Sequence, residues 1–207
     1  MLNCAKCGRH SCNKNDLEKI PPDCPMESFG KIYEEAAAVY RESAGGMACV
    51  SARVEAAGYG VWPRIREIME FSRLSGFNKL GLAFCVGLRR EAREVNRILT
   101  SNGFEVASVI CKTGSKPKEE LGLRDDEKVR PGRFEAMCNP VAQALLLNEG
   151  KTDLNILLGL CVGHDTIFIQ HSKAPVTVLA VKDRVTGHNP LAAVYAGHYF
   201  KSKIDLS

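Results

Sequence analysis

Four apolar segments divide the second half of the chain. They cover residues 79–85, 105–111, 153–161 and 175–182, and helical patterns separate them. A short, continuous apolar run is typical of a strand that is buried on both faces, as in a parallel sheet. Because strands that alternate with helices need crossover connections, the pattern predicts an α/β fold: a mostly parallel sheet with helices on both faces.

Helical spacing of apolar residues dominates the segment before these strands. Recurrence at three and four positions predicts helices over 28–43 and 47–57 and a third that stops at Gly76, and we expect Gly45-Gly46 to end the first. The predicted division of the chain is a cysteine-rich metal or iron–sulfur arm (1–28), a helical segment packing on the core (29–75) and an α/β domain with an inner cysteine site (76–207).

A long polar stretch follows the second predicted strand. Residues 112–133 carry seven basic and five acidic side chains. Loops of more than about 15 residues are commonly functional lids or disordered segments, whereas a charged stretch of this kind is otherwise an ordinary solvated loop. The sequence leaves these alternatives open.

The composition is that of a globular protein, with 45% hydrophobic and 25% charged residues in a chain of 207. The net charge of +4 is too small to indicate nucleic-acid binding, and no apolar run approaches the about 20 residues of a membrane span. The N-terminus lacks an apolar signal core, so we expect a cytoplasmic protein that binds neither nucleic acid nor membrane. Nine cysteines in that compartment favour metal or redox chemistry over disulfides.

Four of the nine cysteines lie in the first 24 residues. Cys4, Cys7, Cys12 and Cys24 have the spacing C-x2-C-x4-C-x11-C, and Pro25 follows the last of them. The segment has few apolar residues and cannot fold around a core of its own, so we expect a metal to hold it together. Four thiolates suit either tetrahedral zinc or an iron–sulfur cluster.

The order of these cysteines, C-x2-C-x4-C followed by C-P, resembles the four-iron–four-sulfur module of the corrinoid iron–sulfur protein of acetyl-CoA metabolism. Zinc ribbons more often have two C-x2-C pairs, and here the second pair is split. The resemblance therefore favours a 4Fe–4S cluster in the arm, with zinc as the alternative.

Four inner cysteines lie at the ends of predicted elements. Cys85, Cys111 and Cys161 each close a predicted strand, and Cys138 precedes Asn139-Pro140, a typical helix start. The carboxyl ends of parallel strands meet at one edge of a sheet, where α/β proteins bind ligands. We therefore predict that these four cysteines bind a second cluster or metal, although free cysteines also pack as small buried residues.

Polar residues beside two of these strand ends are candidate catalytic groups. His164 follows Cys161-Val162-Gly163, and the last predicted strand leads into Lys182, Asp183, Arg184 and His188. A histidine can bind a metal or donate a proton. Two cations beside thiolates can offset their charge or bind a small anionic substrate. The alternative is a surface cluster of salt bridges.

Five sequence motifs contain most of these residues. Together they resemble the predicted metal-binding proteins of domain-of-unknown-function family 1847, over roughly residues 53–199 and in the N-terminal cysteines. The resemblance implies metal binding and supplies no reaction. The motifs are A-F-C-x-G-L-x-x-E-A (83–92), G-F-E-V-x-S-V-x-C-K (103–112), M-C-N-P-x-x-Q-A (137–144), L-C-V-G-H-D (160–165) and V-K-D-R-V-x-G-H-N-P (181–190).

Three functions are compatible with these features. The first is an iron–sulfur enzyme whose inner cysteines present a cluster to a small substrate, while the N-terminal cluster relays electrons from a redox partner protein. The second is a non-catalytic electron carrier or interaction module with both sites fully ligated. In the third, the N-terminal site holds structural zinc and the inner cysteines only pack. Nucleotide-binding, serine-hydrolase and HExxH motifs do not occur in the sequence.

Overall fold

Four strands form one all-parallel sheet in the computed structural model, which describes residues 2–205. Each strand lies within one residue of its predicted bounds, so the predicted α/β class is confirmed. The strand order is β2-β1-β3-β4, and the strands are β1 (Lys79–Phe84), β2 (Glu105–Ile110), β3 (Leu154–Leu160) and β4 (Val176–Val181).

The chain divides between Tyr59 and Gly60 into two compact units. The helices of the first unit are α1 (Ser11–Lys14), α2 (Pro25–Ser28), α3 (Gly30–Val39) and α4 (Gly45–Gly58). A π-helical turn, Tyr40–Ala44, connects α3 directly to α4, so the prediction that Gly45-Gly46 ends the helix is wrong. A Cβ on residue 45 would overlap the carbonyl oxygen of Tyr40, and glycine is what permits this wide turn.

Helices cover both faces of the sheet in the second unit. They are α5 (Arg64–Leu74), α6 (Arg89–Ser101), α7 (Pro140–Glu149) and α8 (His164–His171), followed by the short α9 (Leu191–Tyr195) and α10 (Gly197–Phe200). Leu80 and Leu82 pack with residues of α5 and α6, whereas Ala83 and Leu157 pack with residues of α7 and α8. This division follows from the alternation of side chains along a strand. No helix among residues 2–205 is long and apolar enough to cross a membrane.

The strand order places the point where the topology reverses between β1 and β3. The helix after β1 packs on one face of the sheet and the helix after β3 packs on the other. At such a point, α/β proteins bind ligands in a crevice at the carboxyl ends of the two strands. Cys85 and Cys161 leave β1 and β3 at this point. Gly159, with φ of +68°, lies where the pairing of β3 with β4 becomes irregular, and a Cβ there would overlap the Leu88 side chain.

The polar loop after β2 is organised around one buried lysine. The Lys128 side chain is only 4% exposed, and its Nζ lies 2.7 Å from Glu119 Oε1 and 2.6 Å from Asp125 Oδ1. At the base of the loop, Pro117 and Ala136 pair as an antiparallel bridge. Ion pairs and backbone pairing therefore hold this charged stretch together.

Candidate functional site

Three of the inner cysteines are neighbours at the carboxyl edge of the sheet. Cys85 and Cys111 directly follow the paired strands β1 and β2. Cys111 packs in the same buried cluster as Cys85 and lowers its pKa, and Cys111 Sγ lies 3.9 Å from the Sγ of Cys138. Cys85 and Cys111 are buried, and Cys138 is half-buried. The three sulfurs therefore form a row with Cys111 in the middle.

Local hydrogen bonds hold Cys138 in this row. The loop returns the chain to β2, where the backbone N–H of Asn139 donates to the carbonyl oxygen of Cys111 at 2.8 Å. The Asn139 side chain then accepts from Ala142 N at 2.9 Å and caps α7, as its sequence position predicts. Lys112 Nζ donates to the carbonyl oxygen of Ala136 at 2.5 Å, which fixes the segment just before Cys138.

Cys161 lies apart from the row. Phe84 of β1 pairs with Leu158 of β3, so Cys161 emerges two residues farther along the sheet than Cys85. Its Sγ accepts a hydrogen bond from Arg184 Nη2 at 3.3 Å. The structure thus brings three of the four predicted inner cysteines together and pairs the fourth with one of the predicted cations.

Cations surround the four sulfurs. Lys182 and Lys112 lie close enough to Cys85 and Cys138, respectively, to lower the pKa of those thiols, and Arg184 Nη2 donates to Cys161 Sγ at 3.3 Å. Among residues 2–205, none of these three cations forms an ion pair with a carboxylate. The cations of this rim therefore lie beside thiols and not beside carboxylates. Two of them, Lys182 and Arg184, were named from the sequence as candidate catalytic residues.

The interactions among the three cysteines shift their pKa values in opposite directions. Hydrogen bonding with Cys111 lowers the pKa of Cys85 to about 5 and the pKa of Cys138 to about 5. Lys182 and Lys112 act in the same direction on the two outer thiols. The pKa of Cys111 is raised, because its proton is held by Cys138 and Cys85 on either side and its side chain is buried. Loss of a proton is therefore favoured at the two outer cysteines of the row and disfavoured at Cys111.

Two of the predicted catalytic candidates, Asp183 and His188, form hydrogen bonds within the turn after β4. The Asp183 carboxylate accepts from Val185 N at 2.9 Å and Thr186 N at 3.0 Å, and bonds to Thr186 and Val185 lower its pKa. The His188 ring accepts from the backbone N–H of Asp183 at 3.1 Å. Both side chains thus close a tight turn, which orients the neighbouring Lys182 and Arg184. His164, at the start of α8, is close enough to Cys138 to help lower its pKa.

Two residues near the row were not singled out from the sequence. Lys112 directly follows Cys111, and that position beyond a strand end was the available signal. Gln143 is fully buried, and its Nε2 donates to the carbonyl oxygens of Val109 at 2.7 Å and Phe84 at 3.3 Å, just before Cys111 and Cys85. Its Oε1 has no partner among the described residues. The sequence signal for Gln143 was the presence of a glutamine within the apolar pattern of α7.

The first unit contains a separate cavity of about 400 Å³ among its first 25 residues. All four N-terminal cysteines line it, with Asp23 among the neighbouring residues. His10 N donates to Cys7 Sγ at 3.5 Å, and this bond lowers the pKa of Cys7. Ser11, which is buried, donates to the carbonyl oxygen of Lys19 at 2.8 Å and ties together the chain between the third and fourth cysteines. Among residues 2–205, no group of three histidine, cysteine, aspartate or glutamate side chains has the arrangement of a metal site.

Comparison with known proteins gives a family without an assigned reaction. The family described as "Protein of unknown function (DUF1847)" matches residues 24–179, a range that contains the four inner cysteines and Cys24. An uncharacterized protein of Methanocaldococcus jannaschii is 41% identical over 204 residues, which cover 99% of each chain.

One solved structure is similar over part of its length. It is Dph2 from Pyrococcus horikoshii with a 4Fe–4S cluster; the match covers 68% of this chain but only 33% of the Dph2 chain, with 19% identity and a TM-score of 0.32. The chain thus spans about a third of the structure that it matches. Similarity at this level does not establish a shared fold or a shared cofactor.

Proposed function

The chain belongs to the DUF1847 family, as its motifs indicated, and from its two cysteine sites we propose that it is a metal-binding protein, with a 4Fe–4S cluster in the N-terminal arm and a second cluster or metal at the carboxyl edge of the sheet. The observation that carries the proposal is the cavity of about 400 Å³ that Cys4, Cys7, Cys12 and Cys24 line together. Zinc in the arm is the alternative.

The chemistry of the arm supports a bound metal group. Four thiols line one cavity in a segment where Ser11 is the one buried residue among positions 2–28. Thiolates are the ligands of zinc and of iron–sulfur clusters. A single tetrahedral ion needs all four sulfurs about 2.3 Å from one point, whereas a cluster fills more of a cavity of this size. Binding is expected to draw the thiols closer, because metal sites of this kind form together with the fold.

The sheet edge supports a second site. Three thiols are in contact there, two of them with a lowered pKa, and thiolates are the form that binds metals. Cys161, held by Arg184, supplies a fourth sulfur at the rim. Three ligands in a row and a fourth at some distance would leave one position of a bound cluster accessible to a substrate.

The cations at this edge favour a small anionic substrate. Lys182 and Arg184 carry positive charge into the crevice and have no carboxylate partner among the described residues. A carboxylate or phosphate group would find two donors there. When bound, the cluster would supply electrons or a Lewis-acid iron, and the protein would bind and orient the anion. A redox partner protein would deliver electrons to the N-terminal cluster.

Metal analysis after anaerobic purification tests the two sites separately. We expect iron and sulfide in equal amounts, about four of each per cluster. The double variant C7S/C24S removes two arm ligands and should lose about four iron and four sulfide. It should also expose the arm to proteolysis, because the metal replaces the missing core. C49S is the matched control, since Cys49 is an exposed cysteine in α4 that belongs to neither site.

The outcomes separate the alternatives. About one zinc and no sulfide, lost in C7S/C24S, would establish the zinc-stabilised arm and reject the cluster there. An unchanged metal content in that variant would reject the arm site altogether. The variant C85S/C138S should lose only the metal of the sheet edge. If its metal content equals that of C49S, the inner cysteines bind no metal.

A further inference from the structure

The contact between Cys111 and Cys138 has a second chemical consequence. Their sulfurs are 3.9 Å apart, and a disulfide bond is about 2.04 Å long, so the sulfurs need to approach by about 1.9 Å. The backbones are already side by side, because Asn139 N donates to the carbonyl oxygen of Cys111 at 2.8 Å. Side-chain rotation can therefore supply most of the approach.

The two thiols differ in their access to solvent. Cys111 is 2% exposed, whereas Cys138 is half-buried at the end of the polar loop. Cys85, on the far side of Cys111, is 6% exposed. Among the three cysteines of the row, a small oxidant in solution therefore meets Cys138 first, and Cys111 is the thiol placed directly behind it. This is the arrangement of an attacking cysteine with an adjacent resolving cysteine.

We propose that Cys138 and Cys111 form a reversible disulfide when the metal-free protein meets a peroxide. In the first step the Cys138 sulfur attacks one oxygen of hydrogen peroxide, an S–O bond forms, the O–O bond breaks, and the leaving hydroxide takes up the thiol proton as water. In the second, the Cys111 sulfur attacks the sulfenic acid, the S–S bond forms, the S–O bond breaks, and a second water leaves. Two thiols are oxidised by two electrons and one peroxide is reduced to two waters.

This disulfide would control the sheet-edge site. It consumes two of the four sulfurs that the proposed function assigns to that site, so the oxidised protein cannot hold the second metal. That consequence rests on the proposed function, whereas the disulfide itself does not require a metal at either site.

The test treats full-length protein, freed of metal by a chelator under argon, with one molar equivalent of hydrogen peroxide. Remaining thiols are alkylated, and the protein is digested without reduction. We expect a cross-linked pair of peptides containing Cys111 and Cys138, which a dithiol reductant separates. C85S and C49S should give the same cross-link. In C138S, Cys111 should remain a free, alkylated thiol, because peroxide does not reach it directly; circular dichroism verifies that this variant is folded.

Two results would overturn the proposal. One is a cross-link between Cys85 and Cys111 in place of the expected pair. The other is oxidation of Cys138 to sulfinic acid while Cys111 stays reduced. Iron and zinc content, measured on the same proteins before chelation, reports on the proposed function independently. A cross-link in the unaltered chain together with an unchanged metal content in C138S would leave the disulfide standing and reject the inner metal site.

Discussion

Single residues determine how closely the sheet and its helices approach. Gly81 lies in β1, one of the two central strands, and a Cβ at this position would overlap Asn155 Oδ1 on the neighbouring strand and lie 3.0 Å from Leu147 Cδ1 of α7. Asn155 is fully buried, and its Oδ1 already accepts from Thr152 Oγ1 at 2.8 Å. The asparagine cannot move away without breaking a buried hydrogen bond.

We therefore expect Gly81→Ala to destabilise the second unit by about 1–3 kcal/mol, the usual cost of inserting a methyl group into a packed core. Chemical denaturation followed by circular dichroism measures the change. Gly87→Ala is the matched control in the same unit, because its nearest neighbour would be Lys182 Nζ at 3.4 Å, the tip of a flexible side chain. Equal stability of the two variants would show that Asn155 moves freely.

At the scale of elements, the loop 112–138 is what joins Cys138 to the end of β2. Its least exposed ion pairs join Lys128 with Glu119 and Asp125 in the middle of the loop, and Lys118 with Glu135 at 2.6 Å near its base. Solvent-exposed ion pairs contribute little, but the Lys128 ammonium is enclosed and also donates to the carbonyl oxygen of Arg133 at 2.7 Å. Removal of that charge leaves several acceptors without a donor.

Lys128→Met is expected to loosen the loop without unfolding the sheet. Amide exchange over residues 118–133 should become several-fold faster, because Glu119, Asp125 and the carbonyl of Arg133 lose their shared donor, while exchange in β1 and β3 should not change. Hydrogen-exchange mass spectrometry makes the comparison. Lys116→Met is the control, since the Lys116 side chain is 66% exposed and its Nζ lies 3.5 Å from Glu120 Oε2. Faster exchange in both variants would mean that net charge, and not the buried network, holds the loop.

At the scale of the whole molecule, the two units differ in the size of the hydrophobic core that stabilises each of them. Both hydrophobic clusters consist entirely of residues from the second unit, between Ile65 and Ala180. In the first unit, Val54 is the one large hydrophobic side chain that is buried among residues 2–59. About 150 residues are enough for a stable core, so the second unit has what it needs to fold by itself.

Residues 60–207 expressed alone should therefore unfold cooperatively and retain the oxidation behaviour of the Cys111–Cys138 pair. Thermal unfolding by calorimetry and the peroxide cross-linking described above provide the measurements. Residues 1–59 expressed alone should be folded only with metal bound, since thiolate bonds replace a core. A cooperative transition in the metal-free first unit would contradict this account of its stability.

Much of this protein was determined by patterns that are local in the sequence. Continuous apolar runs specified the four strands. The reason holds most fully for the central strands β1 and β3, which are buried on both faces and need apolar side chains on both, whereas the edge strands β2 and β4 are only partly buried. The Asn139-Pro140 pair specified the start of α7, because a side-chain acceptor followed by a residue without an N–H satisfies a helix end. The positions of Cys85, Cys111 and Cys161 beyond strand ends followed from the same runs.

Tertiary structure decided which of these residues meet. In the register of β3 against β1, Cys161 lies two residues farther along the sheet than Cys85. At this position its Sγ accepts a hydrogen bond from Arg184. The side chains of Asp183 and His188 form hydrogen bonds within the turn after β4, because their nearest partners are backbone groups a few residues away. Gly45 continues the helix that the Gly45-Gly46 pair was predicted to end. Strand register depends on contacts between residues far apart in the chain, so local patterns did not contain it. The turns at Asp183 and Gly45 are local, but they depend on backbone geometry and side-chain direction that the apolar pattern does not specify.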